Sequence, residues 1–235
     1  MSDVTQLGDI VVRGQRRAPG APGGYGGGGS GGGSGGYDEM ETLDPGNPEA
    51  PDFYVDPCSN PLTRLDWNLD AAAGEAVRAM AAYAAANFPG TGFEKREFGA
   101  ALWLMPNGRV VAGPVEHSEH EFGSGNLVGV SLDMTPPDSY AIYMGSVHSH
   151  NSGGYLPSGN NQQPYTGDQQ TLYDNRTYLV AAGHSPNNAR IYIVAYDPGR
   201  GGNVIHVYTH ENMTAAIGGQ LGPEVDPEGV QCPPT

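Results

Sequence analysis

Residues 19 to 36 read PGAPGGYGGGGSGGGSGG, and they hold 12 of the chain's 37 glycines. A run of this kind has no side chains to bury, so nothing offsets the entropy lost on ordering it. Any core must therefore come from elsewhere in the 235 residues. Residues 37 to 57 are acidic and proline-rich, which extends the linker reading. The sequence accordingly divides into a disordered Gly/Pro-rich tail and linker, 1–55, and a single folded domain, 56–235. Within the tail, Asp9–Gly14 is a short apolar, strand-like patch. It could add to a partner's sheet edge, but the composition around it favours a disordered N-terminus.

Charge narrows the function. There are 26 acids against 11 bases, a formal net charge of −15. Such a surface repels phosphate backbones and anionic lipid, so neither nucleic acid nor a membrane is an expected partner. No apolar run is long enough to span a bilayer, and the N-terminus lacks the basic start and apolar stretch of a secretory signal. The expected location is cytoplasmic, or one reached by a specialised route. Cys58 and Cys232 are the only cysteines and fit no zinc motif. They read as free thiols, or as one terminal staple if the protein works in an oxidising place.

The folded part starts near Asp56. With Asp66 as N-cap, a helix is expected from Trp67 to about Asn87, with Leu69, Ala73, Ala76, Val77, Met80, Tyr83 and Ala84 on one face. Pro89-Gly90 ends it. Alternation and β-branched content predict strands at about 96–104, 109–113, 126–132, 140–148, 177–182, 190–196 and 203–209. Pro106-Asn107-Gly108 turns the first hairpin. A short helix should begin at Asp168. The class is α+β (mixed α/β), a central mixed sheet flanked by a long N-terminal helix and a short later one.

Chemistry concentrates in Gly145-Ser146-Val147-His148-Ser149-His150. Residues two apart on a strand share a face, so His148 and His150 can aim two imidazoles at one point. Zinc accepts such ligands, and its catalytic sites take three protein ligands plus a water. Asp168, at a helix start beyond a polar loop, offers a third. Glu97 begins an otherwise apolar strand, where a carboxylate needs an ion pair with Arg96 or Lys95, or a role as general base. The other histidines read as surface residues, with His117 and His120 among Glu116, Glu119 and Glu121 as a minor alternative metal site.

This ordered set resembles the JAMM (MPN or JAB) metalloprotease superfamily over about residues 66 to 210, and more closely the JAB-like domains found in bacterial toxin-like proteins. Arg96-Glu97-Phe98-Gly99, the Pro106-Asn107-Gly108 turn, His148-Ser149-His150 and Tyr178-Leu179-Val180 carry the resemblance. It implies a cytidine-deaminase-like fold and a zinc-dependent hydrolase of peptide or isopeptide bonds, acting on a protein or peptide substrate. His148, His150 and Asp168 would be ligands, Glu97 would accept the proton of the zinc's water, and Ser158 or Thr166 would donate to the oxyanion. Two departures stand out. Asn161 occupies the position three after Ser158 where the family has Asp, and Asn151 replaces a proline. A loop lengthened between Ser158 and Asp168 accounts for the first. The alternative is Asn161 at the third ligand position in a non-catalytic JAB-like binding module, tethered by its tail to a larger assembly. A hydrolase of another bond in a toxin, phage or secretion setting is the remaining reading, and the acidic surface argues against a nuclease.

Overall fold

The computed structural model describes residues 11–14, 56–90, 92–93, 95–124, 128–151 and 153–234. The expected tail therefore lies mostly outside the described residues. Of its strand-like patch, Asp9 and Ile10 also lie outside them, and Val11–Gly14 forms β1, antiparallel to Val128–Ser131 (β5), with Val12 opposite Val130.

Helix α1 spans Pro61–Asn87 and starts earlier than the Asp66 cap predicts. Proline suits the first helical position because its missing N–H is an orphan there anyway. The Arg64 amide donates to the Asn60 carbonyl at 2.9 Å, closing the first turn. Asp66 instead receives the Arg190 guanidinium at 2.6 Å. The expected apolar face is buried apart from Tyr83, which is partly so, with Leu69, Ala73, Ala76 and Met80 fully enclosed. Pro89 and Gly90, the latter in the left-handed region at φ 77°, end the helix.

The main sheet has seven strands. Arg96–Leu104 (β2), Val110–Ala112 (β3), Glu116–Glu121 (β4), Ile142–Ser149 (β6), Arg190–Asp197 (β7), Gly202–Tyr208 (β8) and Glu224–Val225 (β9) run β3-β2-β6-β7-β8-β9, with β4 also on β2. Only β6 and β7 are parallel. Parallel neighbours need a crossover, and residues 150–189 supply it, including α2 (Gly167–Ala181). The crossover follows the C-terminal end of β6, where the two histidines stand. The two faces of β2 divide the protein: Phe98, Ala100 and Leu102 join the main core with α1, while Ala101 and Trp103 pack with Ala141 and Tyr143. This is the expected α+β class.

Gly145 is required at its position. A Cβ there would collide with the Arg190 carbonyl oxygen as β6 enters its parallel pairing, and its φ is 155°.

The structure corrects three further expectations. Residues 177–182 are not a strand: α2 continues to Ala181, because Leu172, Asn175 and Leu179 recur at helical spacing and are buried. Gly183, at φ 79°, then ends it, with the His184 amide donating to the Leu179 carbonyl. A third helix, α3 (His210–Ile217), escaped the strand and helix patterns; Thr209 and Asn212 cap it reciprocally. Cys58 and Cys232 are not free thiols but a disulfide, with Cα atoms 5.5 Å apart. The C-terminal segment it holds also ties to α1: Trp67 Nε1 donates to the Val230 carbonyl at 2.7 Å, and the Cys232 amide to Asn68 Oδ1 at 2.7 Å. Among the described residues no helix is long and apolar enough to cross a membrane.

The disulfide closes a separation of 174 residues, so it restricts the unfolded chain strongly, by about 5 kcal/mol on a loop-entropy view. Replacing both cysteines with serine should lower unfolding stability by about 3–5 kcal/mol in denaturant titrations. A loss below about 1 kcal/mol would mean that the hydrogen bonds to α1 alone hold the C-terminus.

Candidate metal centre

Three elements converge on one point. Strand β6 carries His148 at its penultimate position and leads directly into His150, whose amide continues the parallel ladder by donating to the Val194 carbonyl at 2.8 Å. Alternation turns both rings to the same face, and their Nε2 atoms lie 3.1 Å apart. Helix α2 brings Asp168 in its first turn. Its Oδ1 is 3.2 Å from His148 Nε2 and its Oδ2 is 3.7 Å from His150 Nε2. Strand β2 brings Glu97. The carboxylate of Glu97 and the ring nitrogens of His148 and His150 fall within 4.8 Å of one another, a group that could hold a metal ion.

Glu97 is aimed by an irregularity. The β2–β4 register shifts between Arg96 and Phe98, and such bulges re-aim side chains. Two serines fix the shifted backbone: the Glu97 amide donates to Ser118 Oγ at 3.2 Å, and the Phe98 amide to Ser149 Oγ at 2.9 Å. The ion pair anticipated from Arg96 does not reach Glu97. Arg96 lies over the Phe88 ring and pairs with Glu121 instead. Glu97 is fully buried, and neither carboxylate oxygen has a hydrogen-bond partner.

Asp168 is held by a reciprocal clasp with Ser158. The Ser158 amide and hydroxyl both donate to Asp168 Oδ2, at 2.7 and 2.9 Å, and the Asp168 amide donates to Ser158 Oγ at 3.0 Å. The ten-residue interval between them does not prevent the two from meeting. Asn161 is committed elsewhere. Its amide oxygen accepts from Gln169 and its amide nitrogen donates to the Thr214 carbonyl. Thr166 is the N-cap of α2 but makes no capping bond, and its hydroxyl is buried without a partner.

The electrostatics suit a cation. Burial raises the Glu97 carboxyl well above its ordinary value, and the Asp168 charge adds to this. Burial alone would raise Asp168 too, but the imidazoles of His148 and His150 and the Ser158 amide bring it down to about 2. Burial, with His148 beside it, lowers His150 to about 4, against the pull of Asp168 and the Gly154 carbonyl. His150 Nδ1–H donates to that carbonyl at 2.8 Å, which leaves the Nε2 lone pair pointing at the centre. Ligands about 2.0–2.1 Å from a tetrahedral zinc stand about 3.3 Å from each other. The 3.1 Å between the two Nε2 atoms and the 3.2 Å from His148 to Asp168 Oδ1 fit that edge length, while the 3.7 Å from His150 runs to the other oxygen, Oδ2.

The other histidines do not gather around a second ion. His117 stacks edge-on to Phe88 at 4.8 Å, and among the described residues Glu97, His148 and His150 are the one group of three or more His, Cys, Asp or Glu placed to share a metal. His206, read as a surface residue, is buried; its Nδ1 meets the Gly222 carbonyl at 2.8 Å and its ring packs on Tyr155. The Tyr208 hydroxyl donates to the Tyr155 carbonyl at 2.6 Å, pinning the loop that follows His150. Ser118 and Ser149 gave no sequence signal, since isolated serines on strands are common.

No family model, curated protein or solved structure matches this chain.

The raised Glu97 pKa has a testable sign. The unfolded chain releases this proton near pH 4.5, while the folded, metal-free protein keeps it. Its contribution is therefore complete below that pH and is lost, at about 1.4 kcal/mol per unit, as pH rises from there to the folded value, above which it no longer changes. Glu97→Gln removes the cost. In chelator-treated protein the variant should melt with the parent at pH 4 and above it at pH 7. A melting difference independent of pH would contradict the assignment.

Proposed function

We propose that the chain is a zinc-dependent hydrolase of a peptide or isopeptide bond, of the JAMM type that its sequence resembles. The observation that carries this reading is the meeting of His148, His150 and Asp168 at 3.1–3.7 Å beside a buried carboxylate with both oxygens unpartnered. His148, His150 and Asp168 are the ligands, two neutral imidazoles and one carboxylate, a set that leaves one position open. Bound zinc supplies a Lewis acid that polarises a carbonyl and brings a water's pKa toward neutrality.

The chain's own groups do the rest. Glu97 is the general base. Its free oxygens take a proton from the attacking water and return it to the leaving amine. A carboxyl held above its ordinary range is suited to both halves of that exchange. Ser158 is a positioning residue in this reading, because its one hydroxyl proton is directed at Asp168. That leaves Thr166, with its buried, unpartnered hydroxyl, as the donor to the oxyanion. The polar loop before α2 lies between Ser158 and Asp168. Within it, Tyr165 stacks on Tyr173 of α2 at 5.6 Å.

Zinc per chain, measured on the parent and on His148→Ala, tests the reading together with hydrolysis of a panel of peptide and isopeptide substrates. The parent should hold about one zinc and the variant almost none. Glu97→Gln should keep the zinc and lose hydrolysis by about a hundredfold or more. A parent that takes up no zinc when offered it would overturn the catalytic reading in favour of a tethered binding module.

A further inference from the structure

Strand β5 is an edge. Among the described residues its one ladder partner is β1, and the two form a sheet separate from the main one. Val128, Val130 and Leu132 are buried, so one face of this strand and its continuation is anchored to the domain. Side chains of Val130 and Leu132 lie over Gly99, two residues from Glu97 and paired with His148. The edge thus flanks the metal centre. An exposed edge presents a row of unpaired amides and carbonyls, which natural proteins cover. Here the cover is Val11–Gly14, which also approaches α2, the helix that delivers Asp168.

The arm has chemistry of its own. Arg13, Arg16 and Arg17 are three of the chain's 11 basic residues, crowded into five positions. The elements around β5 carry exposed acids: Glu119 and Glu121 on β4, and Asp174 on α2. In sequence the arm is therefore opposite in charge to these elements. The pairing is only four residues long, and four ladder positions make a reversible contact, not a permanent one.

We propose that the edge of β5 is a strand-docking site beside the metal centre, occupied in cis by Val11–Gly14 as a displaceable arm. It takes an extended segment with a basic end, held by main-chain pairing and by charge. Binding to this edge does not depend on the proposed hydrolysis and is read without it.

The test uses the full chain with Val11→Pro and Val12→Pro together. Successive residues of a strand point their N–H groups to opposite sides, so one of the two prolines removes a ladder donor and both disfavour the pairing. The probe is a fluorescent peptide of residues 8–17, GDIVVRGQRR. It should bind the variant and bind the unmodified chain at least about tenfold more weakly, because apparent affinity scales with the fraction of open edge. The same peptide carrying both prolines should bind neither. Amides of residues 128–131 should exchange faster in the variant, while its main melting transition stays in place. Equal binding to both chains, no binding to the variant, or unchanged exchange at 128–131 would overturn the proposal.

Discussion

A carboxylate with no solvent exposure is the constraint on which this structure turns. Asp168 would be costly to bury charged, yet two imidazoles and the Ser158 amide bring its pKa down to about 2, and the Ser158 hydroxyl also donates to it. Those partners come from two stretches of chain, and Asp168 from a third. The imidazoles stand at the end of β6, the serine in the crossover loop, and the aspartate at the start of α2. The parallel pairing of β6 with β7 forces that crossover, and the crossover sets the helix start against the strand end. Fold and site are in this sense one arrangement.

Glu97 is the counterweight. A second buried carboxylate beside Asp168 destabilises the metal-free protein at neutral pH unless it keeps a proton. Two serines and a register shift hold it there regardless. Local cost of this kind is expected where chemistry, and not stability, fixes the geometry. A dication at the centre would lower the charge repulsion between Glu97 and Asp168, so metal binding and folding stability should be coupled.

The sequence exposed some of this more readily than the rest. The strand limits 96–104 and the His148, His150 spacing were readable because alternation is local and the ligands lie two residues apart. The start of α1 was not, since Asp66 looked like a cap and was in fact the partner of Arg190, 124 residues away. Tyr178-Leu179-Val180 has strand-like composition, but the contacts that decide its helical state are made by Leu172, Asn175 and Leu179 against the sheet. Ser118 and Ser149 became visible only through the backbone amides they accept from. The disulfide and the pairing of Val11–Gly14 with β5 are long-range closures that no local pattern encodes.

The central claim is a division of labour between two carboxylates, Asp168 as ligand and Glu97 as base. Zinc dissociation constants measured by chelator competition on Asp168→Asn and Glu97→Gln test it most directly. The account predicts that Asp168→Asn weakens zinc by about a hundredfold or more, while Glu97→Gln leaves it within about threefold. The reverse order would make Glu97 the ligand, with His148 and His150, and would contradict the account.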